Sequence, residues 1–124
     1  MLAVLLGYLA LIILELIGGA FLAGVFQGHT GGQLILGGEI VTFIAGILAG
    51  AITARMAPSR PLAHATVLGF TILTVTSIVT AISHPPAGAV YPSWYPYAAA
   101  VLSGVGAFTG GAIAGREQEA PPED

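Results

Sequence analysis

Four uninterrupted apolar runs, each of twenty residues or more, leave this chain few ways to fold. They cover about 2–26, 34–56, 62–82 and 94–114. A helix needs roughly 20 apolar residues to cross ~30 Å of hydrocarbon, since each residue adds ~1.5 Å. Each run is long enough for one crossing. The breaks between them carry turn and helix-stop signals. Gln27-Gly-His-Thr-Gly-Gly-Gln33 is polar and rich in glycine. Arg55-Met-Ala-Pro-Ser-Arg-Pro61 is a short hinge with two prolines. The stretch from Ser83 to Pro92 holds the adjacent pair Pro85 and Pro86, which oppose helix continuation. The expected fold is therefore all-α, a four-transmembrane-helix bundle over residues 1–116. The acidic residues 117–124 are expected to form a disordered tail.

The first run does not read as a cleaved signal peptide. Such a peptide has a basic n-region and an apolar core of only about 7–15 residues. This run is longer and has no Lys or Arg before it.

Charge supports the same class. Charged residues are 7% of the chain, against roughly 25% in a soluble domain. Lysine is absent, and the basic residues are Arg55, Arg60 and Arg116. Three arginines cannot neutralise a run of phosphates, so a nucleic-acid partner is not expected. The absence of cysteine removes disulfides, thiol catalysis and cysteine-ligated metal.

The arginines also set an orientation. With four spans, the N-terminus, the 55–61 hinge and the C-terminus share one side, and all three arginines fall on it. Residues 27–33 and 83–93 contain no Lys or Arg. The positive-inside rule then predicts both termini in the cytoplasm, with the bilayer of a bacterial inner membrane as the surrounding partner. Tyr91, Trp94, Tyr95 and Tyr97 would form an aromatic belt at the opposite interface.

Glycine numbers 18, about twice its usual ~7%, and lies mostly within the spans. Gly46, Gly50 and Ala54 recur every four residues in the second span. Gly106, Gly110 and Ala114 do so in the fourth, with Gly111 and Gly115 beside them. Gly18, Gly19 and Ala23 supply a small face on the first. Such ridges let membrane helices approach closely. They serve either packing within one bundle or a homo-oligomer or larger complex. A weak internal echo joins Ala49-Gly-Ala-Ile-Thr-Ala-Arg55 to Gly110-Gly-Ala-Ile-Ala-Gly-Arg116.

Few residues carry chemistry. Glu15 falls near the middle of the first span, where a carboxylate costs roughly 2.5–3.5 kcal/mol or more and marks a functional site by default. The third span offers the hydroxyls of Thr71 and Thr74 at a similar depth. Two readings follow: a protonated Glu15 bonded to these hydroxyls, or a carboxylate that exchanges protons or binds a cationic ligand. A second, outer polar group would bring His29, Glu39 and His84 together. Two imidazoles and a carboxylate suit a divalent metal, whereas Glu39 alone suits the positive end of the second helix. His64 beside Arg60 suits an interfacial hydrogen bond or, with Arg55, a lipid headgroup. No nucleophile elbow, zinc-protease motif or phosphate loop is present, so neither enzymatic activity nor a cofactor is expected.

Arg60-Pro-Leu-Ala-His-Ala-Thr-Val-Leu-Gly69, Pro92-Ser-Trp-Tyr-Pro96 and the Gly110-Gly111 ending resemble small bacterial four-span membrane proteins of unknown function. That resemblance implies a fold and a location. Leu14-Glu-Leu-Ile-Gly-Gly19 resembles the stretch around the first-span glutamate of small multidrug resistance transporters. It implies a proton-coupled role for Glu15. The chain departs from that family in lacking the lysine after the first span. The third span also lacks a tryptophan or tyrosine to stack a cationic substrate, and Ser103-Gly-Val-Gly106 lies in the fourth span where the family's similar motif is in the third. The expected function is a small integral membrane protein with a packing, assembly or interaction role. The alternative is proton-coupled transport through Glu15.

Overall fold

The computed structural model describes residues 1–27, 31–83 and 91–119. They form four helices: α1 Leu2–Val25, α2 Gly32–Met56, α3 Pro61–Ile82 and α4 Tyr95–Glu119. All four are long and apolar enough to cross a membrane, as in a multi-pass membrane protein. Their boundaries fall within two residues of expectation except at the end of α4. That helix continues past 114 to Glu119, so residues 117–119, expected in the tail, are helical. No proline intervenes before Pro121. Arg55 at the end of α2 also secures the extra turn. Its Nη2 donates to Glu117 Oε2 at 3.0 Å, and Gln118 Nε2 donates to the Arg55 carbonyl at 3.4 Å.

The entry to α3 is tightly specified. Pro61 occupies its first turn, where the missing N–H is harmless and the fixed φ suits a helix. Arg60 before it takes a left-handed φ of 50°, which costs a non-glycine residue about 1–2 kcal/mol. The Arg60 carbonyl accepts from the backbone N–H groups of Ala63 and His64 and from His64 Nδ1. His64 thus makes a local hydrogen bond within the first turn of α3.

Close approaches fix the topology. Gly7 meets Thr53 and Gly18 meets Val41, so α1 and α2 are antiparallel. Gly69 meets Gly104, Gly111 meets Ala65 and Gly115 meets Pro61, so α3 and α4 are antiparallel. Gly46 meets Ser103 and Gly50 meets Ala107, so α2 and α4 run parallel. The result is an up-down-up-down bundle. One end, the hinge end, carries Met1, residues 57–60 and the end of α4. The other, the two-loop end, carries the α1–α2 and α3–α4 connections. The α2–α4 seam is the most extensive contact, followed by α3–α4 and α1–α2. The backbones of α1 and α4 do not approach each other.

The spans are sorted by side-chain size rather than by polarity. Ala45, Ala49, Ala54, Ala65, Ala100, Ala107 and Ala114 are buried, whereas Leu5, Leu9, Leu16, Phe21, Ile40, Phe70 and Ile113 are exposed. Water would not tolerate such a surface. In hydrocarbon there is no hydrophobic gain from hiding leucine, so close backbone packing decides what goes inside. The α4 helix illustrates this. It has the lowest hydropathy of the four, 1.5 against 2.0–2.3, because it is rich in glycine and alanine, yet it is the most enclosed: 44% of its span is buried, against 17–22% elsewhere.

Candidate functional site

Two hollows between the described helices bear on function. The larger, about 360 Å³, lies between α3 and α4 and is walled by Gly69, Phe70, Leu73, Gly104, Val105 and Phe108 among others. Thr66 is the hydroxyl on its wall, and it already donates to the Leu62 carbonyl at 2.8 Å. This groove opens on the exposed aromatic and aliphatic surface and offers no group for chemistry.

The second hollow, about 320 Å³, lies where α1 and α4 stand apart. All four helices contribute to it. Its polar groups are Glu15 on α1, Thr42 on α2, Thr76 on α3, and Tyr95 and Ser103 on α4; its apolar wall includes Leu22, Val41 and Ala100. Glu15 reaches it because Leu11, Glu15, Gly18 and Leu22 share one face of α1 at i+3 and i+4 spacing. Leu11 is buried in the core and Gly18 seats against Val41, which turns Glu15 inward. Gly19 has no neighbour within 4 Å of where its Cβ would be, so the wall is open beside Glu15. Glu15 is the fourteenth residue of a 24-residue helix, about 15 Å from its two-loop end at ~1.5 Å per residue. The cavity thus occupies the two-loop half of the bundle.

Tyr95 caps this half. It was expected with Tyr91, Trp94 and Tyr97 in an interfacial belt. Those three are exposed, but Tyr95 is half-buried and its hydroxyl rests on Gly38. A Cβ at position 38 would displace that hydroxyl. Glu39 itself is only 9% exposed, and neither of its oxygens has a hydrogen-bond partner among the described residues. It sits on the α2 face that meets α4, four residues before Phe43 and seven before Gly46, both of which border Gly106.

Ser103 lies deepest. It is 1% exposed, and its hydroxyl has no partner among the described residues. Hydroxyls in helices commonly donate back to the carbonyl four residues earlier, as those of Thr66, Thr71 and Thr109 do. Ser103 does not, and its oxygen is enclosed without a partner among the described residues.

The expected site residues are only partly brought together. Glu15 lines the cavity; Thr71 and Thr74 do not. The Thr71 hydroxyl is bonded to the Val67 carbonyl at 2.8 Å, and Thr74 is exposed. Thr76 faces the cavity in their place. Of the outer group, Glu39 is buried at the α2–α4 seam, while His29 and His84 lie outside the described residues. No group of three metal-ligating side chains occurs among the described residues. Thr42, Thr76, Tyr95 and Ser103 were not expected from the sequence. Comparison with protein-family models, curated proteins and solved structures found no match for this chain.

Proposed function

We propose that this protein is a small transporter, not an enzyme, that binds a cationic solute at Glu15 and exchanges it for protons. The observation that carries the reading is the 320 Å³ cavity that sets the Glu15 carboxyl among hydroxyl-bearing side chains inside a membrane-spanning bundle. Intramembrane carboxyls that face a cavity mark ion and proton pathways. A volume of this size is at the lower end for small-ligand sites, about 300–1,000 Å³. The three arginines at the hinge end favour placing that end, with both termini, in the cytoplasm of a bacterial inner membrane. The cavity then lies in the outer half.

The test is an infrared titration of isotope-labelled protein in lipid, with Glu15→Gln as the reference. Titration of a carboxyl band between roughly pH 5 and 8, lost in the variant and shifted by a cationic solute, supports exchange. A band that never titrates refutes it.

A second reading is a role in assembly, with itself or within a larger membrane complex. The glycine ridges of α2 and α4 are consumed inside the bundle, so they no longer argue for it. Gly24, near the end of α1, has open space around it, and α1 is joined to the bundle mainly through α2. This reading predicts oligomers in lipid nanodiscs that dissociate on Gly24→Leu. A monomer at every protein concentration removes it.

A further inference from the structure

The three arginines at the hinge end are not equivalent. Arg55 is paired with Glu117 at 3.0 Å. Arg60 and Arg116 are exposed and form no ion pair among the described residues. The fold brings their backbones together. A Cβ on Gly115 would lie 3.4 Å from Pro61 Cγ and 3.9 Å from the Leu62 nitrogen. Arg60 and Arg116 are the chain neighbours of Pro61 and Gly115. Two guanidinium groups therefore flank the place where the start of α3 meets the last turns of α4.

The α3–α4 groove lies deeper along the same two helices. On α4, Val105 stands three turns before Arg116: eleven residues at ~100° each return to within ~20° of the same direction. On α3, exposed Leu62 lies four residues before Thr66. The faces that wall the groove thus continue to the hinge end. At ~1.5 Å per residue, Thr66 to Leu73 lie ~9–20 Å from Arg60, and Phe108 to Val101 lie ~12–22 Å from Arg116. One leaflet is half of a bilayer ~40–45 Å thick, about 20–22 Å. With the arginines at the headgroups, the groove ends near the midplane. Its floor is the contact of Gly69 with Gly104, where a Cβ on Gly69 would lie 2.9 Å from the Gly104 carbonyl oxygen. The Thr66 hydroxyl is already bonded to the Leu62 carbonyl, so the lining is apolar.

A ligand that matches both parts has an anionic head and an apolar chain one leaflet long. A second copy seated by this face in the same membrane orientation would set arginine against arginine. We propose that the surface is a seat for an anionic phospholipid of the hinge-end leaflet, with its phosphate at Arg60 and Arg116 and one acyl chain in the α3–α4 groove. Guanidinium groups suit phosphate because their planar forks donate in pairs. Basic pockets between membrane helices hold anionic headgroups in the same way. The seat does not depend on Glu15 or on transport.

The test is native mass spectrometry of the full chain released from micelles with equal amounts of dioleoyl phosphatidylglycerol and dioleoyl phosphatidylcholine. These lipids share their chains and differ in net charge. The expected result is about five- to thirtyfold greater retention of phosphatidylglycerol, the worth of one or both arginines at a membrane surface. Arg60→Gln combined with Arg116→Gln should bring the two lipids within about twofold by the same principle. Each single variant should lose part of the preference, and stands in if the double variant does not fold. Val105→Trp fills the groove from an exposed position and should lower phosphatidylglycerol retention by at least about threefold, through lost chain contacts. Leu48→Trp, at an exposed position on α2, should not. Glycerol 3-phosphate, a head without chains, should not displace the lipid.

Equal retention of the two lipids by the unmodified protein overturns the proposal. A preference that survives the arginine substitutions overturns the assignment to Arg60 and Arg116. Full retention in Val105→Trp overturns the groove as the seat of the chain. Displacement by glycerol 3-phosphate makes this a site for free phosphate and overturns the lipid. Lipid-free dimers that dissociate on Val105→Trp show a second copy on this face and overturn it equally.

Discussion

Replacing Gly50 by alanine tests whether the α2–α4 seam holds the bundle together. A Cβ at position 50 would strike the carbonyl oxygen of Ala107, and it would stand 2.6 Å from that residue's carbonyl carbon and 2.7 Å from its Cα. These are backbone atoms and have no alternative rotamer. Ordinary carbon contacts are ~3.5–4.0 Å, so the helices must part locally by about 1 Å. A gap of ~0.5–1 Å forfeits a quarter to a half of each pair's ~0.1–0.2 kcal/mol, which over some tens of atom pairs gives about 1–3 kcal/mol. Overpacked soluble cores lose a similar ~1–3 kcal/mol. Alanine is the better helix former by about 1 kcal/mol in water, which offsets part of the loss. The control is Gly24→Ala, where a Cβ meets nothing within 4 Å. The propensity gain is common to both helical substitutions, so reversible unfolding in mixed micelles should show Gly50→Ala destabilised by about 1–3 kcal/mol relative to that control. Equal stability of the two variants would falsify the claim that backbone contact at Gly50 holds α2 to α4.

The α1–α2 contact offers a paired test, because Thr53 Oγ1 occupies the place where a Cβ on Gly7 would go: Gly7→Ala should destabilise by about 1–3 kcal/mol, and Thr53→Ala in the same background should recover part of that in a double-mutant cycle. The Arg55–Glu117 pair has side chains 64% and 58% exposed, so Glu117→Gln should change unfolding stability by less than about 1 kcal/mol, and the difference should shrink in high salt. Relieving the left-handed Arg60 with Arg60→Gly should raise stability by about 1 kcal/mol in the same assay; no change would mean that the three hydrogen bonds to its carbonyl, not its φ, set the hinge. Because the chain lacks cysteine, Ser59→Cys and Gln27→Cys each give a unique thiol. With the termini cytoplasmic, an impermeant maleimide added to intact cells should label the second and spare the first.

The spans were legible in the sequence because hydrocarbon thickness imposes a length, and Pro, Gly and Arg mark its ends. Position along a span was legible too, which is why Glu15 was placed near the middle of the first helix. Rotation about the helix axis was harder. Thr71 and Thr74 were chosen by depth, yet a face is set by steps of ~100° per residue. Ala65, Leu68, Gly69 and Ile72 are the buried positions of α3, and Thr76 continues their face at i+4 from Ile72. Thr71 and Thr74 fall ~100° and ~200° away from it. The small pair Ala65 and Gly69 on that face was the available signal. Ser103 carried a similar one, three and seven residues before Gly106 and Gly110 on one ridge of α4. Tyr95 was not separable from its aromatic neighbours, since only the space above Gly38 distinguishes it. The burial of Glu39 depends on which helix covers α2, and apolar periodicity says nothing about that when every face of a span is apolar.

The parallel α2–α4 seam has a consequence for how this protein is made. Spans are synthesised in order, and early ones enter the bilayer while later ones are still being translated. The glycine face of α2 is complete once residue 56 has been added, but its counterpart starts at residue 95. For that whole interval lipid must cover a ridge shaped for another helix. The largest contact in the bundle is therefore the last to form. A chain interrupted between the end of α2 and the start of α4 leaves that small-residue face without its partner helix.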